Sequence, residues 1–174
     1  MEQKRVRIIG DPVLRKKARP VKVPVSKNVS SLIDEMFEVM ESEGIGLAAP
    51  QIGESIRLIV VDTRENGHRF PLINPRIVSA SGKTGTFNEG CLSVPGVSAD
   101  VVRPLEVVVE GLDRNGKQRR IEADGILARV LQHEIDHLDG ILFVDHLPAE
   151  EREALEPELK ALSRTGKRSR TTNV

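Results

Sequence analysis

His133 and His137 stand four residues apart in the stretch HEIDH, with Glu134 directly after the first histidine. On a helix, positions i and i+4 share one face about one turn apart, so the two imidazoles can direct ring nitrogens at a single point. Glu134 then points to one side of that pair, within reach of a water held by a cation but not of the cation itself. Such a water needs a base that takes its proton and hands it to a leaving group. With four histidines in the chain, chance yields this triplet less than about one time in a hundred. The spacing predicts a hydrolytic metal centre rather than two ordinary helical histidines.

A catalytic site of this type takes three protein ligands and leaves a fourth position open. Several residues compete for the third place. One metalloprotease class continues the motif as H-E-x-x-H-x-x-G-x-x-H; Gly140 falls on its glycine, but Phe143 stands where the last histidine belongs. A second class draws a glutamate from a later helix, and Glu156 and Glu158 flank Pro157 in a run that reads as solvated surface. His146 follows in a predicted turn. Cys91, the only cysteine, lies in NEGCLSVPG, a glycine-flanked stretch that reads as a loop. A lone cysteine forms no internal disulfide, and a buried, inert thiol is its plain alternative to a ligand.

The elements that must position these residues follow from periodicity. Val29, Leu32, Ile33, Met36, Phe37 and Met40 trace one face of an amphipathic helix closed by Gly44. Strands rich in β-branched residues are predicted at Ile56 to Asp62 and Leu105 to Leu112, the latter turning through Asn115-Gly116 into KQRRIEA. After Asp124 the period becomes helical again: Leu127, Val130, Leu131, Glu134, Ile135 and Leu138 recur on successive turns until Gly140. That helix carries the histidine pair. In the N-terminal arm, DPVLRKKA is a short helical candidate with Asp11 as N-cap and Pro12 at the first position. Pro157 is expected to stop one C-terminal helix or begin another. Strands followed by a core helix, without regular βαβ alternation, predict an α+β fold. The domain is expected to span residues 1–163, followed by a basic tail, 164–174.

Composition narrows the function classes. The chain has 174 residues, 39% hydrophobic and 30% charged, with four Phe and neither Trp nor Tyr. That length suits one domain with a sizeable aliphatic core. Scarce aromatics disfavour a stacking platform for single-stranded nucleic acid. Lys plus Arg and Asp plus Glu both total 26, so no global field draws the protein to polyanions. The first residues lack a signal-peptide pattern and no apolar run is long enough to span a bilayer. With so few thiols, a reducing cytoplasm is the expected compartment.

Three motifs in order, GIGLAAPQ (Gly44 to Gln51), EGCLS (Glu89 to Ser93) and HEIDH (His133 to His137), together with GDPVLRKKARPV, give the chain a resemblance to bacterial peptide deformylases over about residues 5 to 147. The resemblance implies antiparallel β-sheets packed around the HExxH helix, with an N-terminal helix and a C-terminal helical segment. It implies Cys91, His133 and His137 as ligands of one divalent metal, usually Fe2+, with Zn2+ or Ni2+ able to occupy the same place. It implies Glu134 as the acid–base, with Gln51 and the backbone N–H of Leu92 stabilising the oxyanion. The reaction implied is removal of the formyl group from N-formylmethionyl nascent peptides as formate. A pocket for the methionine side chain is expected from Ile45, Phe87, Ile126 and Val130, with Gly46 and Gly90 beside the substrate backbone.

Arg129 stands where many relatives carry an aliphatic residue, and its stem is expected at the pocket rim with its head in solvent. Glu89, Asp136 and Arg103 are expected to form either an ionic network behind the site or ordinary surface pairs. The resemblance also suggests that the C-terminal segment touches the ribosome, with Pro157 departing from the family's long terminal helix; sequence-specific nucleic acid and membrane are not expected partners. Two other functions fit parts of the pattern: a metallo-endopeptidase, and a non-catalytic metal-binding module associated with the ribosome.

Overall fold

The computed structural model describes residues 5–168. In chain order these form a 3-10 turn (Pro12–Arg15), α1 (Lys27–Met40), β1 (Gly46–Ala48), a second 3-10 turn (Ala49–Ile52), β2 (Leu58–Asp62), β3 (Arg69–Ala80), β4 (Thr84–Cys91), β5 (Val94–Pro104), β6 (Val107–Leu112), β7 (Gln118–Ala123), α2 (Gly125–Leu138), a third 3-10 turn (Phe143–His146) and α3 (Ala149–Arg168). An antiparallel five-stranded sheet runs β1-β2-β3-β6-β7, and β4 pairs with β5 in a separate antiparallel ribbon. The α+β class and the antiparallel sheets are as the sequence predicts.

Strand β2 shows why these elements stack as they do. Its alternate residues serve opposite faces. Ile59 and Val61 pack with Leu72, Val107, Val109 and the apolar face of α2 (Leu127, Val130, Leu131, Ile135, Leu138). Leu58 and Val60 pack with Leu32, Ile33, Met36, Phe37 and Met40 of α1. The sheet is thus covered on both faces, and each fully buried aliphatic side chain contributes roughly 1.5–3 kcal/mol of transfer free energy. A third cluster joins Val94, Val97 and Val101 of the ribbon to Phe143, Val144 and Leu159. It supports the ribbon from below.

Local hydrogen bonds fix the ends of these elements, including the Asp11 cap and the Asn115-Gly116 turn that the sequence predicts. Ser26 caps α1 by accepting from the Val29 N–H, and the Asp11 side chain accepts from the Val13 N–H at the first 3-10 turn. In the β6–β7 turn, the Asp113 carboxylate accepts from the N–H groups of Asn115 and Lys117, and Gly116 takes φ +80°.

Two expectations fail. The stretch around Cys91 is no loop: Cys91 ends β4, a strand with two glycines and little apolar character that is held by its pairing with β5. Pro157 does not interrupt the C-terminal helix, which continues for 20 residues to Arg168. Leu155, Leu159 and Leu162 pack into the third cluster on both sides of the proline, which offsets the lost backbone hydrogen bond. Residues 164–168 accordingly belong to α3, and the last part of the expected tail lies outside the described residues. Among the described residues, no helix is long and apolar enough to cross a membrane.

Gly140 terminates α2 with φ +74°, and a Cβ there would lie 2.6 Å from the backbone oxygen of Arg15. The N-terminal arm can cross the end of the helix only because that side chain is missing. Gly140→Ala is expected to destabilise the protein by about 2 kcal/mol or more, from left-handed strain plus overpacking. Gly67, also at positive φ but with nothing within 4 Å of its Cβ position, provides the control: urea unfolding should show Gly67→Ala losing only about 1 kcal/mol.

Candidate metal centre

Helix α2 brings His133 and His137 onto one face, with ring centroids 5.1 Å apart. Cys91 approaches from the end of β4. The register slips between Gly90 and Cys91, and such a bulge re-aims the side chain that follows it. Its Sγ lies 3.3 Å from His137 Nε2. One ligand atom from each of Cys91, His133 and His137 falls within 4.8 Å of the others. His146, Glu156 and Glu158 are not part of this group.

The backbone around the thiol is tied to the N-terminal arm. Ile9 N–H donates to the Ser93 carbonyl at 2.8 Å, and Arg7 N–H donates to the Gln51 carbonyl at 2.6 Å. Gln51 is itself buried. Its Oε1 accepts from the Ala48 N–H at 2.9 Å, which aims Nε2 at Ser93 Oγ (3.2 Å) and Cys91 Sγ (3.4 Å). Leu92 follows the cysteine in the two-residue connection to β5. Ser93, fully buried, is a member of this arrangement that residue-type reasoning did not single out; its place in EGCLS was the only signal.

Behind these three side chains, Arg103 donates through Nε and Nη2 to the two oxygens of Glu89 (2.7 and 2.9 Å) and through Nη1 to Asp136 Oδ2 (2.9 Å). Glu89 Oε1 also lies 2.9 Å from His133 Nδ1. Arg103 is only 4% exposed, so the three residues form the internal network rather than surface pairs. Burial would push the Glu89 carboxyl up, but its bonds from His133 and Arg103 outweigh burial and bring its pKa down to about 2. Glu89 is therefore an acceptor, and His133 Nδ1 carries the proton between them, so that Nε2 is the nitrogen left to face the Cys91 side.

Burial moves Glu134 the other way, to a pKa of about 7, and its Oε2 has no hydrogen-bond partner among the described residues. His137 is held well below the ordinary histidine value, first by burial and then by nearby positive charge. At His133, burial opposes protonation but contacts with Cys91, Glu89 and Glu134 overcome it. One thiol, one imidazole kept neutral and one with a committed Nδ1 proton match the donor set of a divalent cation.

The centre opens into a cavity of about 850 Å³. Every residue expected beside the substrate lines it: Ile45, Gly46 and Gly90; Phe87 and Ile126, both near half exposed; and Arg129 and Val130. Gly46 has a tighter constraint than the approach of a ligand. A Cβ there would lie 2.7 Å from Val130 Cγ1 and 2.8 Å from Glu134 Oε1, so its missing side chain makes room for α2.

Arg129 departs from expectation. Its head does not reach solvent; Nη2 donates to the carbonyls of Gly85 and Val101 at 2.9 and 3.0 Å, and the guanidinium stacks 4.1 Å from the Phe87 ring centre. The ribbon supplies two carbonyls to Nη2 and an aromatic face to the guanidinium, and the Glu89 carboxylate lies 3.6 Å from Nη1.

Comparison with known proteins places the chain in a family. The family described as polypeptide deformylase matches residues 3–153. The peptide deformylase of Halothermothrix orenii is 57% identical over 141 residues, spanning 80% of this chain and 90% of that protein. The chain belongs to the polypeptide deformylase family. A crystal structure of a peptide deformylase from Legionella pneumophila superposes with TM-score 0.84 at 43% identity, covering 95% of this chain and 98% of that one. A plant peptide deformylase from Arabidopsis thaliana, solved with an inhibitor, gives TM-score 0.88 at 36% identity over 95% and 93%. Polypeptide deformylases are metal-dependent, and the Cys91, His133, His137 group is where this member can hold the ion.

Removing Arg103 would leave two carboxylates without their shared cation. Arg103→Met is expected to cost about 3–5 kcal/mol, the usual loss when one partner of a buried ionic group is deleted. The freed His133 ring should weaken metal binding by about 10–100-fold. Urea unfolding and metal titration of the same variant measure the two effects.

Proposed function

We infer that this chain is a metal-dependent hydrolase that removes the formyl group from the N-terminal formylmethionine of new polypeptides, releasing formate, with α2 as the central support of its site. Membership of the family carries the activity. The assignment of residues is carried by one observation: a thiol and two imidazoles within 4.8 Å of one another, beside a fully buried carboxyl.

In this reading Cys91, His133 and His137 hold the ion, with Fe2+ the expected metal in the cytoplasm and Zn2+ or Ni2+ able to replace it. When bound, such an ion acidifies water and polarises a carbonyl. The remaining work falls to the protein. Glu134, with its pKa raised to about 7 by burial and Oε2 free, takes a proton from the attacking water and returns it to the departing amine nitrogen. Gln51 Nε2 and the Leu92 backbone N–H lie beside the thiol and serve the oxygen on which negative charge develops.

The formylmethionine side chain occupies the apolar part of the cavity among Ile45, Phe87, Ile126 and Val130, with Arg129 holding the Phe87 wall. Strand β1 is an edge of its sheet, and Gly46 on it faces the cavity together with Gly90 of β4. A substrate backbone can add to such an edge in strand fashion. Exposed Arg164 and Lys167 near the end of α3 support a contact with ribosomal RNA outside the catalytic unit, independent of the chemistry.

Glu134→Gln tests the assignment. Formate release from formyl-Met-Ala is expected to fall by about 10²–10⁴-fold. Metal content should persist and the thermal midpoint should match or exceed that of the native protein, because a buried, unpartnered carboxyl has been made neutral. An endopeptidase would cleave an unblocked peptide of equal length; chromatography of that incubation is expected to show no product.

A further inference from the structure

His146 takes no part in the chemistry above, yet it is bonded into the apparatus behind it. Its Nε2 lies 2.7 Å from Asp136 Oδ2. A carboxylate only accepts, so Nε2 carries the proton and donates. The same oxygen accepts from Arg103 Nη1 at 2.9 Å; Arg103 grips both oxygens of Glu89, and Glu89 accepts from His133 Nδ1 at 2.9 Å. The chain of contacts therefore begins at an imidazole with 35% of its side chain exposed and ends at one that faces the cavity.

The turn that carries His146 meets His133 a second time. Phe143, the first residue of the same 3-10 turn, stacks on the His133 ring with centroids 6.2 Å apart and planes 21° from parallel. The turn is also held in place. Asp145 Oδ2 accepts from the Leu142 N–H at 2.9 Å, and the same carboxylate is gripped by Arg15 and Arg152. A turn held at this many points gives its last side chain a defined direction, and that direction is toward Asp136. The side chain of Asp136 is 21% exposed. Without His146, water would compete for Oδ2, and among the described residues the carboxylate would have one side-chain donor to orient it instead of two.

We propose that His146 is a positioning residue which, through Asp136, Arg103 and Glu89, fixes the ring of His133 and with it the retention of the metal ion. The proposal rests on His133 being a ligand. Retention, rather than turnover alone, is the property that separates positioning from general stability.

The test compares Zn2+-loaded native protein with His146→Leu, which removes the donor, and His146→Gln, which returns an N–H at similar reach. Transfer of Zn2+ to a chromophoric chelator is followed for each. Release from His146→Leu is expected about five- to tenfold faster than from the native protein, near the lower end of what outer-shell partners contribute. His146→Gln should release at close to the native rate. With formyl-Met-Ala, kcat should fall in His146→Leu while KM holds. Native-rate release from His146→Leu would overturn the proposal, as would equal acceleration in His146→Gln. Formate release by the native protein, assayed alongside, tests the deformylase reading separately, so the two cannot fail unnoticed together.

Discussion

A guanidinium buried between two carboxylates is the constraint on which the rest of the site depends. Arg103 comes from β5, Glu89 from β4 and Asp136 from α2. Desolvating these charges is costly, and only close bidentate geometry offsets it. The ribbon and the helix therefore cannot shift independently. Each belongs to a different apolar cluster, the ribbon with α3 and the helix with the large sheet. Dispersion and burial tolerate small slips between such units; a fork of hydrogen bonds at 2.7–2.9 Å does not. The thiol on one unit and the imidazoles on the other are held together by that fork.

Much of this was legible in the sequence, and the reasons are physical. The face of α2 was readable because Leu127, Val130, Leu131, Glu134, Ile135 and Leu138 repeat at helical spacing, and all six are buried. Helix α1 was readable on the same ground. The ribbon was not. Strand β4, TGTFNEGC, has no alternating apolar face because it buries little, and its existence depends on β5 and on Arg103. Such long-range causes leave no local periodicity. The continuity of α3 through Pro157 was hidden for the same reason, since leucines on either side of the proline find partners distant in the chain.

Within the site, residue types announced themselves and their directions did not. Arg129 was expected to extend its head to water as a long cationic side chain on a helix usually does. It turns inward because the ribbon offers Gly85 and Val101 carbonyls at the right distance. Gly46 looked like an opening for a ligand, whereas the atoms nearest its absent Cβ belong to Val130 and Glu134. In both cases the sequence identified a residue of consequence, and the neighbour that gives it meaning lies on another element.

Glu134 shows how the fold and the reaction are joined. A carboxyl with an unpartnered oxygen in a fully buried position is destabilising in a plain core. Here its place on α2 is enforced from both sides, by the apolar stripe that seats the helix on the sheet and by the glycine that lets β1 approach. Neither support makes a hydrogen bond to Oε2, so neither relieves the strain on that oxygen. The protein holds this carboxyl in a position where only something entering the cavity can satisfy it. Because the seating of α2 comes from large hydrophobic surfaces, the fold tolerates that cost, and the group keeps the raised proton affinity on which the proposed exchange with water and an amine draws.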